Sequence, residues 1–415
     1  MTGAEMPGRP LVFLVAGEPS GDALGAQLMA ALKRRSARAP AFIGVGGMRM
    51  AGEGLHSLFP MDELSLMGAA EIVPHIPRLL RRIRETADAI VAARPDVVVT
   101  IDAPAFTFRV AKRVRRQQGG DGITLIHYVA PQVWAWKRGR AREVAGYLDH
   151  LMALLPFESP YFEVEGLPCT FVGHPVVESG ADKGDGAGFR CRHHLPKDAE
   201  LVCVLPGSRR SEVGRLLPVF GATLGLLARS RPTLRAVLPA VDACRSQIAA
   251  VVEDWPVPTL LVSGQQDRYD AFAAADVALA ASGTVALELA MAGTPMVITY
   301  KLNPITALLA RRVIKTRFVN LINLILEREV VPELLLDACR PERLADAVGH
   351  LLDDPAARAA QRAGAEQALR ALHGEGLKPS ERAADVVLSC IAGNKVSPST
   401  KAVQRPVRGA PSAPA

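Results

Sequence analysis

Aromatic residues make up only 5% of the chain, with 3 tryptophans, 5 tyrosines and 12 phenylalanines. So little π surface leaves little material for base-stacking platforms and argues against a nucleic-acid reader. Long apolar runs are missing as well: no stretch reaches the roughly 18 consecutive apolar residues that cross a bilayer. The opening MTGAEMPGRP lacks the basic and then apolar layout of a signal peptide, so a cytoplasmic protein is expected. Cysteines are few and scattered, at Cys169, Cys191, Cys203, Cys244, Cys339 and Cys390, with no CxxC pair and no histidine cluster. Neither a disulfide framework nor a zinc site follows from them.

What is present is the material of two packed domains. A chain of 415 residues exceeds what one core usually serves, and 49% hydrophobic against 22% charged residues is a globular balance. The net charge of +7 and a pI near 9.2 favour an acidic partner such as phosphate or anionic lipid. Part of that charge lies in residues 393–415, GNKVSPSTKAVQRPVRGAPSAPA, whose composition predicts disorder.

Short β-branched or apolar runs, Gly/Pro/Ser turns and longer segments of helical period alternate throughout, the signature of βα units on a parallel sheet. Strands are expected at 11–16, 41–45, 97–101, 124–128, 150–153 and 170–172, then at 201–205, 235–239, 259–262, 277–280 and 296–300. Between the halves, the Gly- and charge-rich stretch at 176–198 reads as a linker. This divides the chain into a first domain to 175, a second over 199–378, and a last helix over 379–392 expected to return to the first domain.

Ligands of open parallel sheets bind beyond the carboxyl ends of the strands, which singles out four turns. AGEPSGD (16–22) offers Gly17 and Gly21 for close backbone approach, with Glu18 and Ser20 as hydrogen-bonding groups; Ser20 or Asp22 as a plain helix cap is the competing reading. In IDAPAF (101–106), Asp102 ends an apolar strand and suits a general base, or else caps the helix opened by Pro104. In LPGSRRSEV (205–213), Gly207 and Ser208 open a helix whose start favours phosphate, with Arg209 and Arg210 as a charged clamp. In ASGTVALELAMAGTP (281–295), Ser282, Gly283 and Thr284 suit phosphate, and Glu288 suits a ribose diol or a buried ion pair.

Weaker signals come from three places. HYVAPQVWAWKRGRARE (127–143) combines Trp134 and Trp136 with Lys137, Arg138, Arg140, Arg142 and His127, for sugar stacking, lipid phosphate or simple core packing. His174 stands as a cleft candidate or a satisfied structural histidine. Residues 64–93 set Met67, Ile72, Val73, Ile76, Leu79 and Leu80 beside Arg78, Arg81, Arg82 and Arg84, which suits an anionic bilayer surface, and 310–317 adds a second basic patch. No two aspartates are separated by one residue, so the D-x-D element that holds a divalent ion in many sugar transferases is absent. A metal-independent reaction with no cofactor is expected.

The motifs AGEPSGD, SLMGAAEI, IDAPAF, IHYVAPQVWAW, LLPFE, FVGHPVVE, LPGSRRSEV, ASGTVALELAMAGTP, MVITYK and FVNLINLIL resemble, in order, those of the lipid-A-disaccharide synthase family. The resemblance implies a GT-B α/β fold, two Rossmann-like parallel-sheet domains facing a cleft with C-terminal helices packing back on the first. It also implies inverting transfer of 2,3-diacylglucosamine from its UDP donor to 2,3-diacylglucosamine 1-phosphate (lipid X), giving a β-1,6 disaccharide and UDP. By that resemblance Asp102 is the base for the acceptor hydroxyl and Arg209 steadies the diphosphate. Glu18 and Ser20 line the active cleft, to which the residue-level reading adds Gly21, Trp134 and His174 as substrate-binding candidates. Ser282, Gly283, Thr284 and Glu288 hold nucleotide, and Asn320, Asn323 and Glu333 close the donor side, with Gly207 and Ser208 kept as the phosphate turn read above. Implied surroundings are the cytoplasmic face of a Gram-negative inner membrane, with peripheral anionic contact, no nucleic acid, and a homodimer left open. Three positions depart from the family pattern: Ala105 for Asp, Ile322 for Pro and Leu336 for Gln.

Overall fold

The computed structural model describes residues 9–64, 69–135, 139–303 and 316–393, with 69–75 described by helix path alone. The chain forms two compact units, one of residues up to Pro175 together with those from His373, the other Val176–Leu372. Trp136, Lys137, Arg138, the 310–315 part of the second basic patch, and the tail from 394 lie outside the described residues, as do the side chains of Met67, Ile72 and Val73.

Seven parallel strands among the described residues carry the first unit: β1 (Leu11–Ala16), β2 (Ala41–Val45), β3 (His56–Ser57), β4 (Val97–Ile101), β5 (Leu125–Tyr128), β6 (His150–Ala153) and β7 (Cys169–Phe171). Their order is β3-β2-β1-β4-β5-β6-β7. The helices are α1 (Pro19–Arg35), α2 (Met48–Gly52), α3 (Ala69–Ala93), α4 (Pro104–Arg116), α5 (Arg140–Ala145) and α6 (Pro160–Glu163). Every residue of β4, VVVTI, is buried, as expected of a central strand covered on both faces.

The second unit begins with α7 (Gly186–Arg192) and continues through β8 (Leu201–Leu205), α8 (Arg210–Ala228), β9 (Arg235–Pro239), α9 (Arg245–Val252), β10 (Thr259–Val262), α10 (Gln265–Ala274), β11 (Val277–Ala281), α11 (Val285–Met291), β12 (Met296–Tyr300), α12 (Leu321–Leu326), β13 (Glu333–Leu335), α13 (Pro341–Asp353) and α14 (Pro355–His373). Among the described residues its six strands are parallel in the order β10-β9-β8-β11-β12-β13. The short edge strands β3 (HS) and β13 (ELL) were not anticipated from the sequence.

The stretch expected as a linker, 176–198, is folded onto the second unit. Asp270 holds it from both sides, accepting from Asp185 N at 2.8 Å and from the Arg192 guanidinium at 2.5 Å. Its glycines serve contact rather than flexibility: a Cβ on Gly184 would stand 2.2 Å from Tyr269 O, and one on Gly186 2.5 Å from Ala273 O. The last helix, α15 (Pro379–Ile391), packs on α1 in the first unit. Ala383, Ala384 and Val387 join Leu28 and Leu32 in one core, where each fully buried large aliphatic contributes about 1.5–3 kcal/mol over exposure. Arg35 clasps Asp385 through two hydrogen bonds of 2.5 and 2.9 Å, and Arg382 Nε donates to Val172 O at 2.8 Å.

Strand order reverses between β1 and β4 in one sheet and between β8 and β11 in the other. Register places Ala16 beside Ile101 and Leu205 beside Ala280, so each pair of strands releases its turns at the same level. The four turns singled out in the sequence are therefore two pairs, one at each topological switch point, where α/β sheets bind ligands.

Candidate active site

In the first unit the turns after β1 and β4 touch. Ser20 Oγ donates to Asp102 Oδ2 at 3.1 Å, and a Cβ on Gly17 would stand 2.9 Å from Ala103 Cβ. Gly21 faces Ile101 O, which a Cβ would meet at 3.2 Å, so its missing side chain serves the packing of the two turns. Asp102 and Ala103 both lie in the left-handed region, at φ 48° and 44°, and Val129 at the end of β5 has φ 85°. Such values are costly for non-glycine residues, and costliest for a β-branched one; they persist only where surrounding bonds impose them. Here Asp102 N donates to Tyr128 O at 3.0 Å, Val129 N to Met152 O at 3.1 Å, and Thr107 Oγ1 to Asp102 O at 2.7 Å. The strained turn presents the half-buried Asp102 carboxylate beside the exposed Ser20 and Glu18.

Asp22 has a different task. Its buried carboxylate accepts from Gly47 N, Arg49 N and Met50 N at 2.8, 3.0 and 3.1 Å, capping α2 rather than its own helix. Sequence spacing gives no sign of this, because donor and acceptor lie 25 or more residues apart.

In the second unit, Gly207 takes φ 106° and Arg209 is the N-cap of α8, a 19-residue helix whose first amides form an anion-binding end. Arg209 is 78% exposed, with Glu212 Oε1 3.5 Å away. Tyr300, at the end of β12, donates to the same oxygen at 3.0 Å; burial, then the Glu212 charge, raises the Tyr300 pKa. Arg210 turns aside, its Nε donating to Ala243 O at 3.3 Å, so the two arginines do not act as one clamp here. The Glu212–Tyr300 pair was missed from sequence, although a carboxylate in the first turn of a helix is a signal for it.

Beside this turn, Ser282 N donates to Thr299 O at 2.8 Å, while Gly283 and Thr284 are exposed and a Cβ on Gly283 would meet open space. Glu288 is mostly buried, and its Oε1 accepts from Arg268 at 2.9 Å and Tyr269 Oη at 3.3 Å. Burial raises its pKa against the Arg268 charge and the Tyr269 hydroxyl.

A family profile described as lipid-A-disaccharide synthetase matches residues 12–387. The lipid-A-disaccharide synthase of Rhodospirillum centenum is 56% identical over 381 residues, covering 92% of this chain and 94% of that one. That of Paramagnetospirillum magneticum is 51% identical over 387 residues, covering 93% and 98%. The chain belongs to the lipid-A-disaccharide synthase family. A UDP-GlcNAc 2-epimerase from Neisseria meningitidis, solved with UDP-GlcNAc, has the same fold at a TM-score of 0.61 with 12% identity, over 93% of this chain and all of that one. A glycosyltransferase from Rickettsia africae gives 0.58 at 11% identity, over 93% and 100%.

The donor-side residues implied by the resemblance form one hydrogen-bonded loop in this structure. Asn323, fully buried, donates to Val331 O and Glu333 Oε1 at 2.8 and 2.7 Å, and accepts from Val330 N and Val331 N at 2.7 and 2.9 Å. Glu333 also accepts from Val319 N and Asn320 N at 2.9 and 3.1 Å. Asn320 caps α12 by accepting from Ile322 N at 2.8 Å, leaving its buried Nδ2 without a partner. Proline, usual in the synthase family where this chain has Ile322, could not supply that amide. Leu336 sits at φ 53°, and Ala105 is exposed beside Asp102.

Trp134 donates from Nε1 to Glu158 Oε1 at 3.1 Å and meets Phe157 edge-on. Glu158 is almost wholly buried, accepts from Leu155 N at 3.0 Å, and is pushed up to about 7 by burial against those hydrogen bonds. His127 is no cation for a lipid phosphate: it is buried against Thr100 Oγ1 at 2.8 Å, and burial lowers its pKa to about 3. Burial likewise lowers His174 to about 4. Of the arginines on α3, Arg82 is 14% exposed, paired with Glu63 and Glu85 and packed over the Phe59 ring at 4.3 Å; Arg78 also binds Glu63. Arg81 and Arg84 remain exposed. Among the described residues, no helix is long and apolar enough to cross a membrane.

Proposed function

We propose that this chain transfers 2,3-diacylglucosamine from its UDP conjugate to 2,3-diacylglucosamine 1-phosphate, with inversion, giving the β-1,6 disaccharide 1-phosphate and UDP. Family membership supports the reaction, and the observation that carries the mechanism is the Ser20–Asp102 contact at the β1/β4 switch point. Asp102 takes the proton of the acceptor 6-hydroxyl while its oxygen bonds to the donor anomeric carbon. The anomeric C–O bond to diphosphate breaks, and its electron pair leaves with UDP. A base positioned in this way contributes typically 10²–10⁴-fold. Ser20, a donor to the carboxylate, fixes which oxygen faces the hydroxyl; Glu18 and Gly21 complete that turn.

Charge on the departing diphosphate falls to the second unit. Gly207, Ser208 and the α8 amides with Arg209 hold phosphate, while Ser282, Gly283, Thr284 and Glu288 take the nucleoside. Asn320, Asn323 and Glu333 shape the donor side by holding its backbone, and Trp134, bonded to Glu158, and the buried His174 shape the acceptor side. Both substrates are acylated, which supports work at a membrane surface, in this reading the cytoplasmic face of a Gram-negative inner membrane with Arg81 and Arg84 toward anionic lipid.

The test is mass spectrometry of products from purified protein with both acylated substrates and EDTA, run beside Asp102→Asn. Wild type yields a tetra-acylated disaccharide phosphate, and the folded variant yields about 100- to 10,000-fold less. Full product from the variant removes Asp102 as base. No product from wild type with UDP still bound removes the proposed substrate pair.

A further inference from the structure

In the second unit, Glu288 stands one turn into α11, on the same face as the exposed Thr284. Its partner comes from elsewhere in the chain. Gly264, at φ 88°, turns the backbone after β10 into α10, and Arg268 on that helix sends Nη2 to Glu288 Oε1 at 2.9 Å. Tyr269 donates its hydroxyl to the same oxygen at 3.3 Å, and itself accepts from Gln265 Nε2 at 3.3 Å. The transfer chemistry gives no task to Arg268, Tyr269 or Gln265.

As a plain ion pair, Arg268–Glu288 does little for stability. The two side chains are 33% and 19% exposed, a depth at which taking two charges out of water offsets most of their attraction. Among the described residues the guanidinium makes no hydrogen bond except through Nη2, to Glu288 and, at 3.5 Å, to Tyr269 Oη; its Nε is shut from solvent without a partner. What the contact does create is an asymmetry in the carboxylate. A carboxylate offers about four lone-pair sites, two on each oxygen. Arg268 and Tyr269 fill those of Oε1, and Oε2 has no partner among the described residues. Two acceptor sites on one oxygen are what a vicinal diol needs. Burial raises the Glu288 pKa, and the Arg268 charge is the main influence opposing it, which favours the form that accepts hydrogen bonds.

We propose that Arg268 is a positioning residue for nucleoside recognition: it holds Glu288 by Oε1 and leaves Oε2 to the 2′- and 3′-hydroxyls of a ribose, so that the site selects a ribonucleotide over its deoxy counterpart. This rests on the reading above that Glu288 takes the nucleoside, and adds what makes that contact selective. Arg268 acts through the carboxylate and not on the ligand. The last torsion of a glutamate is broad, so without Arg268 the carboxylate turns and bonds water with either oxygen.

Calorimetry of UDP and of 2′,3′-dideoxy-UDP tests it, using the full chain and R268Q, R268K, E288Q and R268Q/E288Q. Wild type should prefer UDP on the order of 100-fold, the effect of two hydrogen bonds to a charged acceptor. R268Q should reduce that preference to about tenfold or less, with affinity for the dideoxy nucleotide within about twofold of wild type. R268K keeps a charged donor and should restore part of the preference. E288Q and the double variant should discriminate equally, because Arg268 works only through Glu288. If R268Q folds poorly, R268M, which keeps the aliphatic stem over the Tyr269 ring, makes the same comparison. Equal weakening of both nucleotides in R268Q overturns the proposal, since Arg268 would then touch the ligand or only support the fold. So does a double variant that discriminates less than E288Q. Wild-type preference retained in E288Q instead removes the nucleoside role of Glu288, and with it the reading on which this rests.

Discussion

Two sets of polar side chains in the second unit, one in the turn after β8 and one in the segment before β13, are built on opposite terms. Arg209 is 78% exposed and has one carboxylate at 3.5 Å, while the start of α8 leaves amides facing outward. Asn323 is fully buried and spends its amide group on four hydrogen bonds to its own loop and Glu333. A polar group that is already saturated and sealed has nothing left to offer a ligand, whereas an exposed charge with a loose partner can exchange it for a diphosphate. The family resemblance puts both sets on the donor side; the state of their hydrogen bonds is what differs between them.

The largest effect expected from this contrast is on stability. Asn323→Ala should lower the stability of the second unit by about 3 kcal/mol, since it strands buried amides and carbonyls, and UDP affinity per folded molecule should change little. A variant that melts like wild type yet loses UDP by calorimetry would put Asn323 among the ligand contacts. Arg209→Ala is the converse: roughly tenfold to thirtyfold weaker UDP binding, the worth of one charge-assisted hydrogen bond, with an unchanged melting temperature. An equal affinity would show that the α8 amides hold phosphate without it.

Glu158 sharpens the comparison in the first unit, because it is sealed like Asn323 but ionisable. Burial raises its folded pKa from 4.5 to about 7. The folded state therefore favours the protonated form, and the stability this gives is complete below about 4.5 and fades as pH rises through about 7. His127, His150 and His174, lowered by burial from 6.5 to about 3, 4 and 4, act with the opposite sign and lose stability as pH falls below 6.5. Melting curves at about pH 5 and about pH 8 should show wild type losing a few degrees more than Glu158→Gln on going up. Parallel shifts for the two proteins would mean that Glu158 is ionised throughout.

Most of the sheet was legible in the sequence because β-branched runs such as VVVTI admit few other conformations. The four turns were legible for the same reason, being the Gly, Ser and Pro breaks between those runs and the helices. The edge strands β3 and β13 were not: β3 consists of two polar residues, and β13 is interrupted at its start by Pro332 and Glu333. The stretch at 176–198 misled because glycine has one composition and two uses: in a linker it gives freedom, and at Gly184 and Gly186 it lets two backbones meet. His127 was read as a cation because its burial beside Thr100 depends on strand pairing.

What the sequence determined by itself is the alternation of strands and helices, the places where ligands could bind, and, through its ordered motifs, the family. Local pattern suffices there, because period and turn chemistry are properties of neighbouring residues. Only the tertiary structure decided that Asp22 caps α2, that Ser20 reaches Asp102 on a strained turn, that Asn323 is closed off, and that Arg268 reaches Glu288. Each of these depends on atoms brought together from distant positions, and whether a polar group is satisfied or free is settled by its neighbours in space.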